Sequence, residues 1–186
     1  RGAGMRIFIA LELPDKTREN LSRSAGQLKE LAISGNFVPP QNYHVTLHFL
    51  GEVAASDLIY VQSAMDGVRD MPAPLLSLQQ VVTMRGSDAV CARIKQDGVL
   101  TLLHDKLGEL LEKNGFDVEH RAYRPHVTVA RRYRSTLPFS EVTKSVDVFN
   151  KAFYGTEAVL FESVLGKGAP QYVELYRISL PLPKQD

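Results

Sequence analysis

A short phrase of the sequence occurs twice and carries the residues best suited to chemistry. His-Val-Thr-Leu stands at positions 44–47, and His-Val-Thr-Val follows 82 positions later at 126–129. The chain holds five histidines. A His-x-Thr triplet is expected by chance only roughly 0.2 times in a chain of this composition. The repetition is therefore a signal rather than an accident.

Each triplet suits a β-strand that presents its polar residues to one face. Successive side chains of a strand alternate between faces, so His44 and Thr46 share one face. His126 and Thr128 are related in the same way. Two imidazoles that face each other across a cleft can act as acid and base, while the hydroxyls donate to phosphoryl oxygens. The pattern therefore favours phosphoryl transfer without a metal, with a bell-shaped dependence of the rate on pH.

The composition is that of an ordinary soluble globular protein. Of 186 residues, 44% are apolar and 23% charged, and the net charge of +1 argues against a surface that coats nucleic acid throughout. Neither a membrane span nor a signal peptide is evident, so we expect a cytoplasmic protein with no membrane partner. The single cysteine, Cys91, excludes an internal disulfide, and we interpret it as a buried, inert thiol.

The length suits one domain, or two small lobes that share a core. We interpret residues 1–4 as a cloning remnant ahead of a native Met5, and residues 5–186 as a single bilobal domain.

Charge is unevenly distributed around the second triplet. There is no acidic residue between Glu119 and Glu141, whereas five arginines bracket the triplet: Arg121, Arg124, Arg131, Arg132 and Arg134. Such a patch can bind phosphate by charge and by bidentate hydrogen bonds. A solvated basic face would have the same composition.

Hydrophobic periodicity predicts alternating strands and helices in an α+β fold. Strands are predicted over 5–13, 43–50, 75–84, 88–95, the second triplet, 156–165 and 171–180. Helices are predicted over 15–33, 56–69 with Ser56 as its cap, 97–113, and a short stretch at 140–146. Residues 85–87 are predicted to form a hairpin turn.

Together these features resemble the two-histidine (2H) phosphoesterases, and within them the bacterial and archaeal RNA 2′,3′-cyclic phosphodiesterases, also described as 2′-5′ RNA ligases. The resemblance rests on the two triplets, the opening strand at 6–14, the first motif extended to Val53, and the arginine in His-Val-Thr-Val-Ala-Arg. The C-terminal segments 162–165 and 172–175 also match. Nearly the whole of Met5 to Leu182 is covered.

The resemblance implies two pseudo-symmetric lobes, each an antiparallel β-sheet backed by helices, with the triplets lining the active-site cleft between the sheets. It implies that RNA ends or nucleotides bearing a 2′,3′-cyclic phosphate are opened to 2′-phosphates. No metal and no other cofactor is implied, and some members also join 2′-5′ linkages reversibly. The sequence gives no indication of an obligate protein partner.

Carried over to this chain, the resemblance makes His44 and His126 the acid and the base, in an order that the sequence leaves open. Thr46 and Thr128 become the donors to phosphoryl oxygens.

Arg131 matches the arginine that the family places after its second motif. Strict alternation, however, puts Arg131 on the face away from the cleft. It reaches the phosphate only if the strand bulges or ends near Ala130, and otherwise Arg132 has the required parity.

Three other side chains are candidates for the cleft. Phe8 and Tyr123 could stack on a base that flanks the cyclic phosphate, although a core or rim aromatic would look the same. His48 shares the parity of His44, so it could approach the cleft. We expect no metal site, because no acidic residue joins the histidines in sequence.

Two other functions share these features. A sibling enzyme of the superfamily, acting on 2′-5′-oligoadenylate or on cyclic nucleotides, would carry the same triplets. A non-catalytic RNA- or nucleotide-binding module could keep the cleft and turn over nothing.

Overall fold

Nine β-strands and four α-helices are found in residues 4–185, the part of the chain that the computed structural model describes. The chain opens with β1 (Met5–Glu12), α1 (Asp15–Glu30), β2 (Ala32–Phe37), β3 (His44–Val53) and α2 (Leu58–Asp66). It continues with β4 (Leu75–Thr83), β5 (Val90–Gln96), α3 (Val99–Lys113) and β6 (His126–Ser135). The last elements are α4 (Phe139–Ser145), β7 (Phe153–Tyr154), β8 (Glu157–Val164) and β9 (Gln171–Ser179).

The strands form two antiparallel sheets with related strand orders. One sheet has the order β3-β1-β8-β9, and the other has the order β2-β6-β5-β4-β7. The series β3-β1-β8-β9 parallels β6-β5-β4-β7, so the two motif strands hold equivalent places. Helices α2 and α3 contact the first sheet, and α1 and α4 contact the second. The predicted α+β class with two pseudo-symmetric, helix-backed lobes is confirmed.

Apolar residues at regular spacing explain why these elements pack as they do. Helix α3 buries Leu100, Leu103, Leu107 and Leu111, which recur every three or four residues and so line one face of the helix. In the motif strands, Val45 and Val127 are fully buried. Burial of each valine contributes roughly 1.5–3 kcal/mol. Because each valine stands between a histidine and a threonine, its burial turns those polar side chains to the opposite face.

Several local expectations were wrong. The first helix ends at Glu30, and the segment predicted to finish it begins β2 instead, which pairs with β6 at the edge of the second sheet. Ser56 is not a cap, because it lies in a 3₁₀ turn over 55–57 and α2 begins only at Leu58. The two-residue strand β7 was not predicted.

The interpretation of residues 1–4 as a cloning remnant falls mostly on residues 1–3, which lie outside the described residues. Within 4–185 no helix is both long and apolar enough to cross a membrane.

Candidate active site

Both motif strands begin with their histidine, and the two rings are held in the same way. Nδ1 of His44 lies 2.7 Å from the carbonyl oxygen of Asn42, and Nδ1 of His126 lies 2.7 Å from the carbonyl oxygen of Arg124. In the neutral ring, Nδ1–H donates to that carbonyl and Nε2 becomes the acceptor. The carbonyl group two residues before each histidine thus sets both the tautomer and the orientation of the ring.

The segments that deliver the histidines are fixed by prolines and by contacts with the rest of the fold. A 3₁₀ turn over Pro40–Asn42 precedes the first motif, and the Asn42 side-chain amide donates to the carbonyl of Pro170 at 2.9 Å. Before the second motif, the carbonyl of Pro125 accepts a hydrogen bond from the Ile94 backbone N–H at 3.2 Å. A proline restricts the residue before it to extended conformations, so both approaches are stiff.

His44 lies among aromatic side chains. Its ring centroid is 4.9 Å from that of Phe8, 5.3 Å from that of Tyr172 and 6.5 Å from that of Phe161. Phe8 comes from β1, and the other two come from β8 and β9. These strands are neighbours in the sheet, so a residue on each can face the same cleft.

This environment keeps His44 neutral at pH 7. Burial is the main cause that lowers the pKa of His44 to about 4, and the hydrogen bond to the Asn42 carbonyl opposes it. The nearby charges of His126 and Arg131 lower the pKa of His44 further. The second histidine and an arginine are therefore close enough to act electrostatically on the first histidine.

Each motif strand has a bulge at the third residue after its histidine. The register of β3 with β1 skips Leu47, and the register of β6 with β5 skips Val129. An extra residue in one strand reverses the parity of everything beyond it. Phe49 is therefore on the face of the first triplet, and Arg131 is on the face of the second.

Arg131 was expected to face the cleft only if its strand bulged or ended near Ala130, and the bulge at Val129 meets this condition. Burial lowers the pKa of His44 and raises the pKa of Cys91 and of Tyr172, and the positive charge of Arg131 acts to lower all three. Of Arg131 and Arg132, Arg131 is thus the one whose charge acts on these three groups. Arg132 is exposed and has a φ of 54°, in the left-handed region that few non-glycine residues adopt.

The two threonines remain half-buried beside their histidines. The Thr128 hydroxyl oxygen lies 3.6 Å from the sulfur of its cross-strand neighbour Cys91. Thr46, from one sheet, and His126, from the other, line the same cavity of about 500 Å³. The two motifs therefore meet at a common space between the sheets.

Of the two interpretations left open for Phe8, base stacking is wrong and the core aromatic is correct, because Phe8 is only 3% exposed and packs beneath the ring of His44. The Tyr123 hydroxyl donates to the Thr46 carbonyl at 2.7 Å, and its ring stacks on His104 at 3.9 Å. Burial raises the pKa of Tyr123. Tyr123 thus holds the loop before β6 against β3. The stacking of Tyr123 on a base stays a prediction.

His48 does not share the face of His44 and Thr46 as its parity had suggested, although it contributes to the wall of the cavity. The bulge at Leu47 turns it to the opposite face, where it is 5% exposed and its Nε2 lies 2.8 Å from the carbonyl oxygen of His104. It packs against Gly108 of α3, where an added Cβ would come within 3.0 Å of the ring. Among residues 4–185, no group of three His, Cys, Asp or Glu is arranged to hold a metal ion.

The aromatic neighbours Phe49, Phe161 and Tyr172 were missed by the sequence reasoning. Phe161 and Tyr172 reach His44 through strands that pair more than a hundred residues after the first motif, and no local pattern reports such pairing. Phe49 stands within the extended first motif, but strict alternation would place it on the face away from the triplet.

Comparison with known proteins defines the class of this site. Residues 11–88 match the family described as LigT like Phosphoesterase. The RNA 2′,3′-cyclic phosphodiesterase of Archaeoglobus fulgidus is 31% identical over 180 residues, which cover 92% of this chain and 98% of that relative. The chain therefore belongs to the LigT-like phosphoesterases of the 2H superfamily, as the resemblance implied.

Two further relatives show how far the likeness extends. The RNA 2′,3′-cyclic phosphodiesterase of Geobacillus stearothermophilus is 28% identical over 170 residues, and this chain spans only 54% of that relative's length. The crystal structure of Escherichia coli LigT complexed with 3′-AMP has a TM-score of 0.80 and 27% identity, covering 95% of this chain and 98% of that one.

The lowered pKa of His44 makes stability depend on pH. An unfolded histidine titrates near 6.5 and folded His44 near 4, so between these values the unfolded chain binds more protons. The free energy of unfolding then rises with pH. His44 contributes roughly 3 kcal/mol to the free energy of unfolding above pH 6.5, and this contribution is lost as the pH falls to 4.

The prediction is checked by urea unfolding at pH 7 and pH 4. Between these pH values, we expect the free energy of unfolding of the wild type to fall by this amount more than that of His44→Gln. Equal losses in both proteins would contradict the burial of this imidazole.

Proposed function

We propose that this protein is an RNA 2′,3′-cyclic phosphodiesterase that opens ribose 2′,3′-cyclic phosphate ends to 2′-phosphates by metal-independent acid–base catalysis, with residues 5–186 acting as one catalytic domain. The observation that carries the proposal is the matched pair of imidazoles, each held by a carbonyl two residues before it at the start of equivalent strands. The names of the relatives and the 3′-AMP in LigT support a nucleotide substrate.

In the proposed reaction the cyclic phosphate lies between the two Nε2 atoms. One imidazole is neutral and removes a proton from an in-line water, whose oxygen bonds to phosphorus. The P–O3′ bond breaks while the other, protonated imidazole gives its proton to O3′. The product is a 2′-phosphate with a 3′-hydroxyl group.

Thr46, Thr128 and Arg131 would stabilise the charge that develops on the non-bridging oxygens. Hydroxyl and guanidinium donors placed in advance cost no reorganisation when the charge appears, which makes them more effective than water. Arg131 can also offer two parallel N–H donors to one phosphoryl group.

The histidine pair must carry one proton in total. The state with the proton on His44 and the state with the proton on His126 contain the same number of protons, so their populations have the same pH dependence. Burial of His44 favours the neutral ring in the free protein, whereas an anionic phosphate beside it favours the protonated ring. The shape of a pH–rate profile therefore does not identify the base.

The same groups extend the proposal to 2′-5′ ligation. A 5′-hydroxyl of a second RNA, in the place of the water, would lose its proton to the base and bond to phosphorus as O3′ leaves. The product would be a 2′-5′ phosphodiester, and the reverse reaction would regenerate the cyclic end.

The class of reaction is tested by incubating the protein with adenosine 2′,3′-cyclic phosphate in EDTA and identifying the product. We expect 2′-AMP, and we expect His44→Ala and His126→Ala each to lower kcat/KM by roughly 10²–10⁴. His120→Ala is a matched control, because His120 is an exposed histidine that pairs with Glu112 and does not line the cavity.

Three other results would refute the proposal. No turnover would indicate a binding module. Cleavage of 2′-5′-oligoadenylate or a 3′,5′-cyclic nucleotide instead would indicate a sibling enzyme. A 3′-phosphate product would mean that the other P–O bond breaks.

The role of Arg131 as a phosphate-binding residue is tested by comparing its substitution with that of Arg132. We expect Arg131→Gln to lower kcat/KM roughly 10²- to 10³-fold, as loss of one transition-state donor does. Arg132→Gln should change it less than threefold, because the bulge leaves Arg132 outside the cleft. If the two substitutions have equal effects, or if Arg132→Gln has the larger effect, the bulge does not place Arg131 at the phosphate.

A further inference from the structure

Tyr123 stands three residues before His126 and holds the approach to the second motif against the first lobe. Its hydroxyl group donates to the carbonyl oxygen of Thr46 at 2.7 Å. Its ring stacks on that of His104 in α3, with the centroids 3.9 Å apart and the planes inclined by 10°. Both contacts are made with elements of the first lobe, although Tyr123 leads into a strand of the second lobe.

The ring of Tyr123 is the end of a column of three stacked rings. His104 stacks in turn on His48, with the centroids 4.2 Å apart and the planes inclined by 17°. Nε2 of His48 lies 2.8 Å from the carbonyl oxygen of His104, so α3 and β3 fix the two histidines relative to each other. The buried His48 therefore supports the surface against which Tyr123 is placed.

The same segment has a second anchor in the other lobe. The carbonyl of Pro125 accepts a hydrogen bond from the Ile94 backbone N–H of β5 at 3.2 Å. Arg124 lies between the two anchors, and its carbonyl oxygen lies 2.7 Å from Nδ1 of His126. The direction in which Nε2 of His126 points therefore depends on both anchors.

The bond at Thr46 links the two motifs directly. Strand β3 lies at an edge of the first sheet, and an edge strand presents backbone groups that face outward from its sheet. The Tyr123 hydroxyl bonds to one such group within the first motif itself. A short path thus runs from the first motif through residues 123 and 124 to the ring of His126.

The proposed reaction is sensitive to this path. Water must attack in line with the departing O3′, so both imidazoles have to be correctly placed in one transition state. A displacement of about 1 Å can lower the rate roughly 10²-fold. Binding of the unreacted ester is less demanding, because it requires no proton transfer.

We propose that Tyr123 is a positioning residue, which sets the separation of His44 and His126 through its hydroxyl bond to Thr46. In this role Tyr123 transfers no proton and acts through His126. The inference rests on the proposed function, and it names the group that holds the second histidine in place relative to the first.

The substitution Tyr123→Phe tests the proposal, because it removes the hydroxyl group and keeps the stacked ring. With adenosine 2′,3′-cyclic phosphate as substrate, we expect kcat to fall at least fivefold, since the two imidazoles are no longer held at the required separation. We expect KM to stay within threefold, since the lost interaction matters only in the transition state. A smaller fall in kcat, or a larger change in KM, would overturn the proposal.

Tyr133→Phe is the matched control. The Tyr133 hydroxyl also donates to a backbone carbonyl, that of Leu28 at 2.8 Å, but this bond joins α1 to β6 within the second lobe. Both variants lose one hydrogen bond of the same kind, so an effect of stability alone should appear in both. We expect Tyr133→Phe to leave kcat within twofold of the wild type. Equal losses of kcat in the two variants would overturn the proposal.

A double variant shows whether Tyr123 acts through His126. In a protein that already carries His126→Ala, there is no imidazole left for Tyr123 to position. We therefore expect the addition of Tyr123→Phe to lower kcat less than twofold in that background. A further loss of twofold or more would mean that Tyr123 acts in another way, and would overturn the proposal.

Failure of this inference differs from failure of the proposed function. If the wild type opens the ester and Tyr123→Phe keeps its kcat, only the inference fails. If the wild type does not open the ester, ¹⁵N NMR of the histidine side chains still decides, at pH 8.5, where an ordinary imidazole is neutral. A shift of the His126 Nδ1 resonance in Tyr123→Phe and not in Tyr133→Phe supports Tyr123 as the group that positions this ring. An unchanged resonance, or an equal shift in both variants, refutes it.

Discussion

A one-residue bulge in each motif strand decides which side chains reach the cleft. If Leu47 and Val129 were paired regularly and did not bulge, strict alternation would place His48 beside the first triplet and Arg132 beside the second. With the bulges, His48 is buried against α3, and Phe49 and Arg131 face the cleft. The paired polar face of each strand is therefore short, extending from the histidine to the threonine, and a new set of side chains begins beyond it.

The two imidazoles are alike in their backbone contacts and differ in their surroundings. Both donate Nδ1–H to a carbonyl two residues earlier, so both present Nε2 as the reactive atom. Only His44, however, has Phe8, Phe161 and Tyr172 around it. A two-histidine reaction needs one ring with a proton and one without, and unlike environments are the means by which a protein separates such roles.

The sequence was sufficient for the fold class and for the pairing of the motifs, because a repeated triplet and strong amphipathic periodicity are local signals. The buried stripe of α3 and the hairpin around Gly86 were predicted in this way. Bulges leave no such signal, since they depend on which residue of the neighbouring strand is skipped. The sequence therefore left Arg131 and Arg132 as alternatives and put His48 on the wrong face.

Long-range pairing accounts for the other differences. Strand β2 exists because it pairs with β6, about a hundred residues later, and its own residues alternate too weakly to predict it. Two of the aromatic neighbours of His44, Phe161 and Tyr172, come from β8 and β9, which pair into the first sheet although they follow all strands of the second sheet in the chain. The sequence pattern placed Phe8 correctly on the face of His44. It did not predict the burial of Phe8, because the ring packs against Phe161 of β8 and Tyr172 of β9.

Two imidazoles that are distant in the sequence bind one phosphoryl group together in the proposed mechanism. Their joint binding can be observed by ¹⁵N NMR of the histidine side chains during titration with 2′-AMP. We expect the Nε2 resonances of His44 and His126 to shift together with a single dissociation constant, while that of His120 stays unchanged. A shift of only one of the two resonances, or two different dissociation constants, would contradict a shared phosphate site.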